Sequence, residues 1–362
     1  MKDSSRQWGI DLARIISTYG IVLIHSGGYA ASDNLAIKLQ AFFRFALPFF
    51  IAASFYLLFN KKKEYKLFKL ISSRWNRLVI PYLVWSLIYL IVRVIKALII
   101  SNNPDLLTLF QDPFSLIFFG SSALHLYFLP LLFTGNLFAI LINNYTTNFK
   151  NSFILFFISL TIYNIVLQYS THFSMKWVKF YDVFYSLQIS SLQPLSKLLL
   201  IQGWFILICL PYIFFARMIY TYPYNNPFHV KIQKYCSPLL ILLFLCIILF
   251  GRILSPVFIT EPIFGCMLLI VALNFSISPS SSFMKNILLN LSEASFGIYL
   301  IHHLIVNFSQ LLIYKIYPNF LDQISIFSLL VFSVSGFLIS WLVVNTLNPK
   351  NMMLYISNLK NS

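Results

Sequence analysis

Apolar stretches of about 20 residues recur along the 362-residue chain, each long enough for a helix to cross a hydrocarbon core of roughly 30 Å. A membrane β-barrel would instead need apolar and polar residues alternating over segments of about ten residues, and the chain lacks that alternation. A helix also satisfies its backbone hydrogen bonds within one segment, as lipid requires. The sequence therefore predicts an all-α, polytopic integral membrane protein.

The charged residues support this prediction. They make up 10% of the chain, whereas a soluble domain carries about 25%. The net charge of +16 would suggest nucleic acid as the partner of a soluble protein. In a membrane protein it indicates cytoplasmic loops rich in Lys and Arg. We therefore expect contact with membrane lipid and none with nucleic acid.

The apolar pattern predicts about ten transmembrane helices, at 8–28, 38–59, 79–101, 124–143, 152–169, 197–220, 238–253, 257–276, 291–312 and 323–346. With the N-terminus in the cytoplasm, 16 Lys and Arg lie on the cytoplasmic side and 8 on the outer side, with Arg14 and Arg44 inside helices. The reverse orientation breaks the positive-inside rule. An even helix count then places both termini in the cytoplasm. No linker rich in Pro, Gly or Ser divides the chain, so we expect one membrane domain over residues 1–362.

The first helix carries three ionisable residues, which are costly in a membrane and therefore indicate function. Arg14 and His25 are three turns plus about 20° apart, so they lie on one face, about 16 Å apart along the axis. Asp11 is three residues before Arg14 and can pair with it. The alternatives are an interfacial Arg14 that snorkels to the headgroups and a His25 at the surface of the outer helix end.

Five segments, in chain order, resemble acyltransferase family 3, the integral membrane acyltransferases of bacterial surface glycans. GIDLARIISTYGIVLIH resembles the family's opening, with an aspartate–arginine pair and an arginine followed by a histidine. FFRFALPFFIAASFYLL resembles its second helix, although the family usually has Ser-Gly at Ala53 and Ser54. The other three are SSRWNRLVIPYLVW, HLYFLPLLF with Tyr127 in place of Trp, and LSEASFGIYLIHHLI, which resembles Ser-x-x-x-Tyr-Leu-x-His.

The resemblance implies acyl transfer, usually of acetyl, from cytoplasmic acyl-CoA to a hydroxyl of a surface or lipid-linked glycan, at a bacterial inner membrane. The residues are compatible with this chemistry. A hydroxyl needs a base to become a good nucleophile, and His25 is predicted to be that general base. Arg14 is predicted to help hold the donor. The basic loop 60–78 with Arg74 and Arg77 suits the phosphates of CoA, although ordinary positive-inside anchoring explains it too.

Further candidates fall into two groups. Arg44, His125 and Tyr127 are assigned to the acyl-CoA donor, with a structural role for His125 left open. Glu261, Tyr299 and His302 are assigned to the acceptor, since Tyr299 and His302 are almost one turn apart and can line one cavity. The adjacent His303 is expected to point elsewhere. The outer segment 170–196 either contacts a carbohydrate or lies on the membrane surface.

Other classes of protein compete with an enzyme. The cysteines have no metal-ligand spacing, so we expect no metal, and the absence of a Walker motif argues against a nucleotide-driven pump. An exporter of a glycan or lipid-linked sugar would also align buried charges across the membrane. A structural protein of an export complex has no positive support. The register of His25 with Arg14 favours the enzyme, because a passive exporter has no evident need for it.

Overall fold

The computed structural model describes residues 6–27, 33–60, 67–100, 122–143, 148–172, 194–221, 241–242, 244–246, 257–275, 281–317 and 325–347. The chain divides into two compact units. The first unit consists of Met1–Phe50 and Tyr224–Ser362, and the second is Ile51–Pro223.

The long elements in the described part of the chain are all helices. They are α1 (Trp8–Ser26), α2 (Asn34–Phe42), α3 (Ala46–Phe59), α4 (Leu67–Arg74), α5 (Ile80–Ile100), α6 (Phe128–Ile142), α7 (Phe149–His172), α8 (Pro194–Thr221), α9 (Val257–Asn274), α10 (Ser282–Ile316) and α11 (Ile326–Leu347). Two 3₁₀ turns, Phe43–Phe45 and Leu124–Tyr127, and one π-helical turn, Trp75–Val79, join some of them.

Seven helical stretches among the described residues are long and apolar enough to cross a membrane. They are Asn34–Phe59, Phe68–Lys96, His125–Ile142, Phe149–Val166, Leu198–Thr221, Ser282–Ile313 and Ile326–Leu347. α1 is not among them, because Asp11, Arg14 and His25 make it more polar. α9 contributes only the shorter apolar stretch Pro262–Asn274. Most of the predicted helix 238–253 lies outside the described residues.

The structure of the basic segment 60–78 differs from the sequence prediction. The sequence predicts a loop there, but the described residues from 67 onward form α4 and the π-helical turn, which lead directly into α5. Neither proline nor glycine occurs between Leu67 and Ile80 to end the helix. Lysine and arginine are also good helix formers, and their long stems can follow apolar surface to the interface. Arg74 and Arg77 therefore lie on a helical segment.

α10 has 35 residues and is longer at both ends than the predicted 291–312. Its N-terminus is capped by Ser281, whose hydroxyl accepts a hydrogen bond of 3.2 Å from the backbone N–H of Met284. At 1.5 Å per residue the helix is about 52 Å long, whereas a hydrocarbon core is roughly 30 Å thick. A helix of this length tilts or extends beyond the core.

In the first unit, α1 packs against α9, α10 and α11. Val22 of α1 joins Ala294, Ile298 and Val306 of α10 in one buried cluster. Gly9 of α1 lies directly against the backbone of α9, where a Cβ atom would meet the carbonyl oxygen of Ala272. Small residues of this kind let membrane helices approach closely. α1 is thus held on three sides, and Asp11 is buried against protein.

In the second unit, α8 packs against α6 and α7. The close approach of α6 and α8 is at Gly135, where a Cβ atom would lie 2.6 Å from the sulfur of Cys209. Cys209 is fully buried and donates a long hydrogen bond of 3.8 Å to the carbonyl of Leu131. These contacts make this part of the second unit a tightly packed helix bundle.

Candidate active site

The cytoplasmic end predicted for α1 carries a buried carboxylate, that of Asp11, which is 5% exposed. It accepts a hydrogen bond of 2.6 Å from the hydroxyl of Ser292 on α10. The guanidinium of Arg6 donates a second bond of 2.6 Å from Nε. Arg14 lies further away, with Nη1 3.8 Å from a carboxylate oxygen. The predicted pairing of Asp11 and Arg14 is therefore present, but Arg6 and Ser292 are the closer partners.

The sequence did not indicate these two partners, for different reasons. Arg6 precedes the helix, so helical spacing does not connect it with Asp11. It also reaches Glu293 of α10 across 3.7 Å. Ser292 is remote in the chain, and a single serine in an apolar helix usually bonds to its own backbone. Arg14 remains partly accessible, with 32% of its side chain exposed.

At the other end of α1, three imidazole rings come together. The ring centroid of His25 is 5.3 Å from that of His302 and 5.4 Å from that of His303, both on α10. The expectation that His303 points elsewhere is therefore wrong. Adjacent residues on a helix project about 100° apart. This would separate the two side chains only if their partner lay opposite one of them alone. His25 contacts both rings.

His302 is completely buried and is oriented by its own helix. Its Nδ1–H donates to the carbonyl oxygen of Tyr299 at 2.7 Å, and the carbonyl of Ile298 lies 3.2 Å away. Because a neutral imidazole carries one proton, Nε2 is then the acceptor nitrogen. The ring of Tyr299, which is 4% exposed, lies 6.1 Å from that of His302.

Two glutamines hold the end of α1 that carries His25. Gln40 of α2 donates to the carbonyl oxygen of Ile24 at 3.0 Å, and Gln310 of α10 donates to that of Ser26 at 2.7 Å. The last carbonyls of a helix have no partner within it. The two amides provide such partners and fix the backbone on both sides of His25. This places the imidazole in a defined position beside α10.

The Asp11 and His25 contacts also define the direction of packing. Asp11 meets Ser292, and the later Ser26 meets the later Gln310. Residue numbers therefore increase in the same direction along both helices, so α1 and α10 run parallel. Asp11 and His25 are almost four turns apart, so both lie on the face of α1 directed at α10.

Two further candidates belong to the first unit. Arg44 lies in the 3₁₀ turn between α2 and α3, and its side chain is exposed. Glu261 lies in α9 as predicted, but its side chain is outside the part of the chain that the structure describes.

The remaining candidates belong to the second unit. Arg74 is half-buried at the end of α4, and Arg77 is exposed in the π-helical turn. His125 and Tyr127 lie in the 3₁₀ turn Leu124–Tyr127. His125 is 4% exposed and packs edge-on against Tyr89, with the ring centroids 5.1 Å apart. That packing favours the structural alternative for His125.

Histidine is the commonest metal ligand, and three histidines lie near each other here. Among the residues that the structure describes, no group of three or more His, Cys, Asp or Glu side chains has an arrangement that could hold a metal ion. The ring nitrogens of the cluster can carry out acid–base chemistry.

The fold and the site define a polytopic membrane protein whose first helix presents a carboxylate and an imidazole to a parallel helix. A family model described as an acyltransferase domain matches residues 7–345, nearly the whole chain. The chain therefore belongs to acyltransferase family 3, as its sequence motifs predict, and is a membrane acyltransferase. A search of curated proteins and a search of solved structures each gave no match.

Proposed function

We propose that the protein transfers an acyl group, most simply acetyl, from cytoplasmic acyl-CoA to a hydroxyl of a surface or lipid-linked glycan. We place it in the bacterial cytoplasmic membrane. The observation that carries the proposal is the contact of His25 with His302, at the end of a helix held by Gln40 and Gln310. Membership of an acyltransferase family supports acyl transfer in general.

His25 is the proposed general base. It removes the proton from the acceptor hydroxyl while the hydroxyl oxygen attacks the thioester carbonyl carbon. The tetrahedral intermediate then collapses, the carbon–sulfur bond breaks, and the imidazolium of His25 returns the proton to the departing CoA thiolate. A positioned base of this kind typically contributes 10²–10⁴-fold to the rate.

His302 is proposed to support His25 and not to touch the acceptor directly. It is fully buried, and its acceptor nitrogen, Nε2, is set by the bond from Nδ1–H to Tyr299. A lone pair beside His25 stabilises the imidazolium that forms during transfer. The burial of Tyr299 favours the same supporting role. For the acceptor sugar itself, Glu261 remains the proposed contact.

The donor is proposed to be held by cationic side chains. Arg14 is partly exposed and lies about 16 Å along α1 from His25. Its guanidinium therefore suits the donor better than the acceptor hydroxyl. Arg74 and Arg77 are proposed for the CoA phosphates, since guanidinium groups bind phosphate through paired hydrogen bonds. Arg44 and Tyr127 are further proposed donor contacts, whereas the packing of His125 against Tyr89 favours a structural role.

Comparative mass spectrometry of surface glycans tests the proposal. Glycans from cells that express the gene should be heavier by one acyl group per modified unit than those from cells without it. The mass difference also identifies the acyl group. Glycans of the same mass, displayed in smaller amounts when the gene is absent, would show an exporter instead.

A further inference from the structure

His303 follows His302 on α10, and its ring centroid lies 5.4 Å from that of His25. Its ring is half-buried and meets the ring of His25 nearly at a right angle, with an interplanar angle of 82°. The rings of His302 and His303 are themselves 6.3 Å apart, so the three imidazoles form a triangle in which both α10 rings adjoin that of His25.

The two histidines of α10 present opposite hydrogen-bonding character. The amide Nδ2–H of Asn307 donates to Nδ1 of His303 at 3.0 Å. A neutral His303 therefore carries its proton on Nε2, since an amide nitrogen can only donate. In His302 the proton is on Nδ1, which donates to Tyr299. His25 thus adjoins one imidazole whose Nε2 is an acceptor and one whose Nε2–H is a donor.

The face of α10 that carries His303 lies at the edge of the contact with α1, since Asn307 is exposed and Gln310 is half-buried. His303, Asn307 and Gln310 follow the spacing i, i+4, i+7, which places them on one face. Gln310 contacts the end of α1 through the carbonyl of Ser26 at 2.7 Å. A polar stripe on an apolar helix is costly in lipid, and here it adjoins the proposed base. Its position indicates a role in the reaction.

We propose that Nε2–H of His303 donates a hydrogen bond to the thioester carbonyl oxygen, which becomes negatively charged during transfer. The inference rests on the proposed function. No proton moves through His303: the acceptor proton passes to His25 and then to the CoA thiolate. His303 lowers the barrier because a preorganised donor stabilises the charge that develops on the oxygen. Asn307 is a positioning residue that keeps the proton of His303 on Nε2.

Three variants test the donor role. His303→Leu removes the donor, His303→Gln retains an N–H donor on a chain of similar reach, and Asn307→Asp accepts a bond from Nδ1–H and so moves the proton away from Nε2. The assay measures transfer of labelled acetyl from acetyl-CoA into the glycan fraction of membrane vesicles. Protein level and thermal stability are measured for each variant, and kcat is separated from the KM for acetyl-CoA.

We expect His303→Leu to lower kcat by about 10²–10³-fold, the effect of removing one such donor, with little change in KM. His303→Gln should retain most of the wild-type kcat, whereas Asn307→Asp should lower kcat as His303→Leu does. If His303→Leu does not fold, His303→Gln and Asn307→Asp still test the donor role of His303. Wild-type kcat in Asn307→Asp, or a kcat of His303→Gln that is lower than the wild-type value by about 10²-fold or more, would overturn the inference.

The same assay separates this inference from the proposed function. An active His303→Leu beside an inactive His25→Ala would overturn the role of His303 and leave the proposed function intact. Absence of labelled product with the wild-type protein would overturn both.

Discussion

Ser292 of α10 donates a hydrogen bond of 2.6 Å to the buried carboxylate of Asp11 on α1. Fourteen positions further along α1, His25 meets His302 of α10. The two contacts fix one face of α1 against α10 near both ends. The imidazole of His25 is therefore held in place partly by a polar contact almost four turns away.

Ser292→Ala should lower the thermal stability of the protein, because a buried carboxylate loses one of its donors. A hydrogen bond to a charged group contributes about 1.5–3 kcal/mol. Glu293→Gln is the matched control, since Glu293 is 68% exposed and its pair with Arg6 spans 3.7 Å. Exposed pairs contribute about 0–1 kcal/mol. Equal melting temperatures for the two purified variants would contradict the importance of the buried contact.

Asp33 caps two helices at once. One carboxylate oxygen accepts from the N–H of Leu35 at 2.8 Å, and the other accepts from that of Ile326 at 3.0 Å. These bonds, that of Leu35 above all, lower the pKa of Asp33. Their stabilisation is present above the pKa of the unfolded chain and is lost as the pH falls through the lower folded pKa.

Asp33→Asn should therefore lower the melting temperature at neutral pH, since the amide has one acceptor oxygen and no charge. The difference from the wild-type protein should shrink as the pH is lowered, because the wild-type carboxylate becomes protonated. Melting curves from neutral to acid pH measure this. A difference that stays constant over that range would show that the charge of Asp33 has no part in capping.

The orientation of α10 can be tested on the helix itself. Lys285 and Lys315 are exposed near its two ends, and the positive-inside rule places the Lys285 end in the cytoplasm. Lys315→Cys should react with a membrane-impermeant thiol reagent in intact cells, whereas Lys285→Cys should react only after permeabilisation. Cys236 and Cys246 are replaced by serine in both. Labelling of Lys285→Cys from outside would invert the topology.

Arg74→Gln with Arg77→Gln should raise the KM for acetyl-CoA by about a hundredfold or more, since each of the two lost charge-assisted contacts costs about 1.5–3 kcal/mol. Arg93→Gln is the control, because Arg93 is an exposed arginine of α5 that the charge pattern places on the outer side. The measurement is the initial rate of acetyl transfer against acetyl-CoA concentration. If the double variant has the same KM as Arg93→Gln, Arg74 and Arg77 serve only as membrane anchors.

The sequence predicted an all-helical chain with long apolar helices and the polar face of α1, because apolar length and helical spacing are local properties. It could not predict the partners of that face. Ser292 and Gln310 are two of several polar residues of α10, and only the packing of α10 on α1 shows which of them contact α1. The position of His303 was missed for the same reason: helical spacing separates it from His302, whereas the ring of His25 adjoins both.

The acyltransferase motifs identified the family but did not show that the candidate residues are divided between two structural units. Asp11, Arg14, His25 and His302 lie in the first unit, whereas Arg74, Arg77, His125 and Tyr127 lie in the second. The basic segment was predicted as a loop because its charges mask a helical pattern. Glycine and proline, the strongest signals of a break, are absent from residues 67–80.

His25 is the proposed base of the acyl transfer. Acylation of surface glycans by His25→Ala should be measured at expression matched to that of the wild-type protein, with Arg14→Ala alongside. We expect His25→Ala to be folded and to keep its KM for acetyl-CoA, while transfer falls by about 10²–10⁴-fold. Arg14→Ala should raise that KM as well. Wild-type acylation by His25→Ala would contradict the catalytic assignment and, with it, the location of the active site.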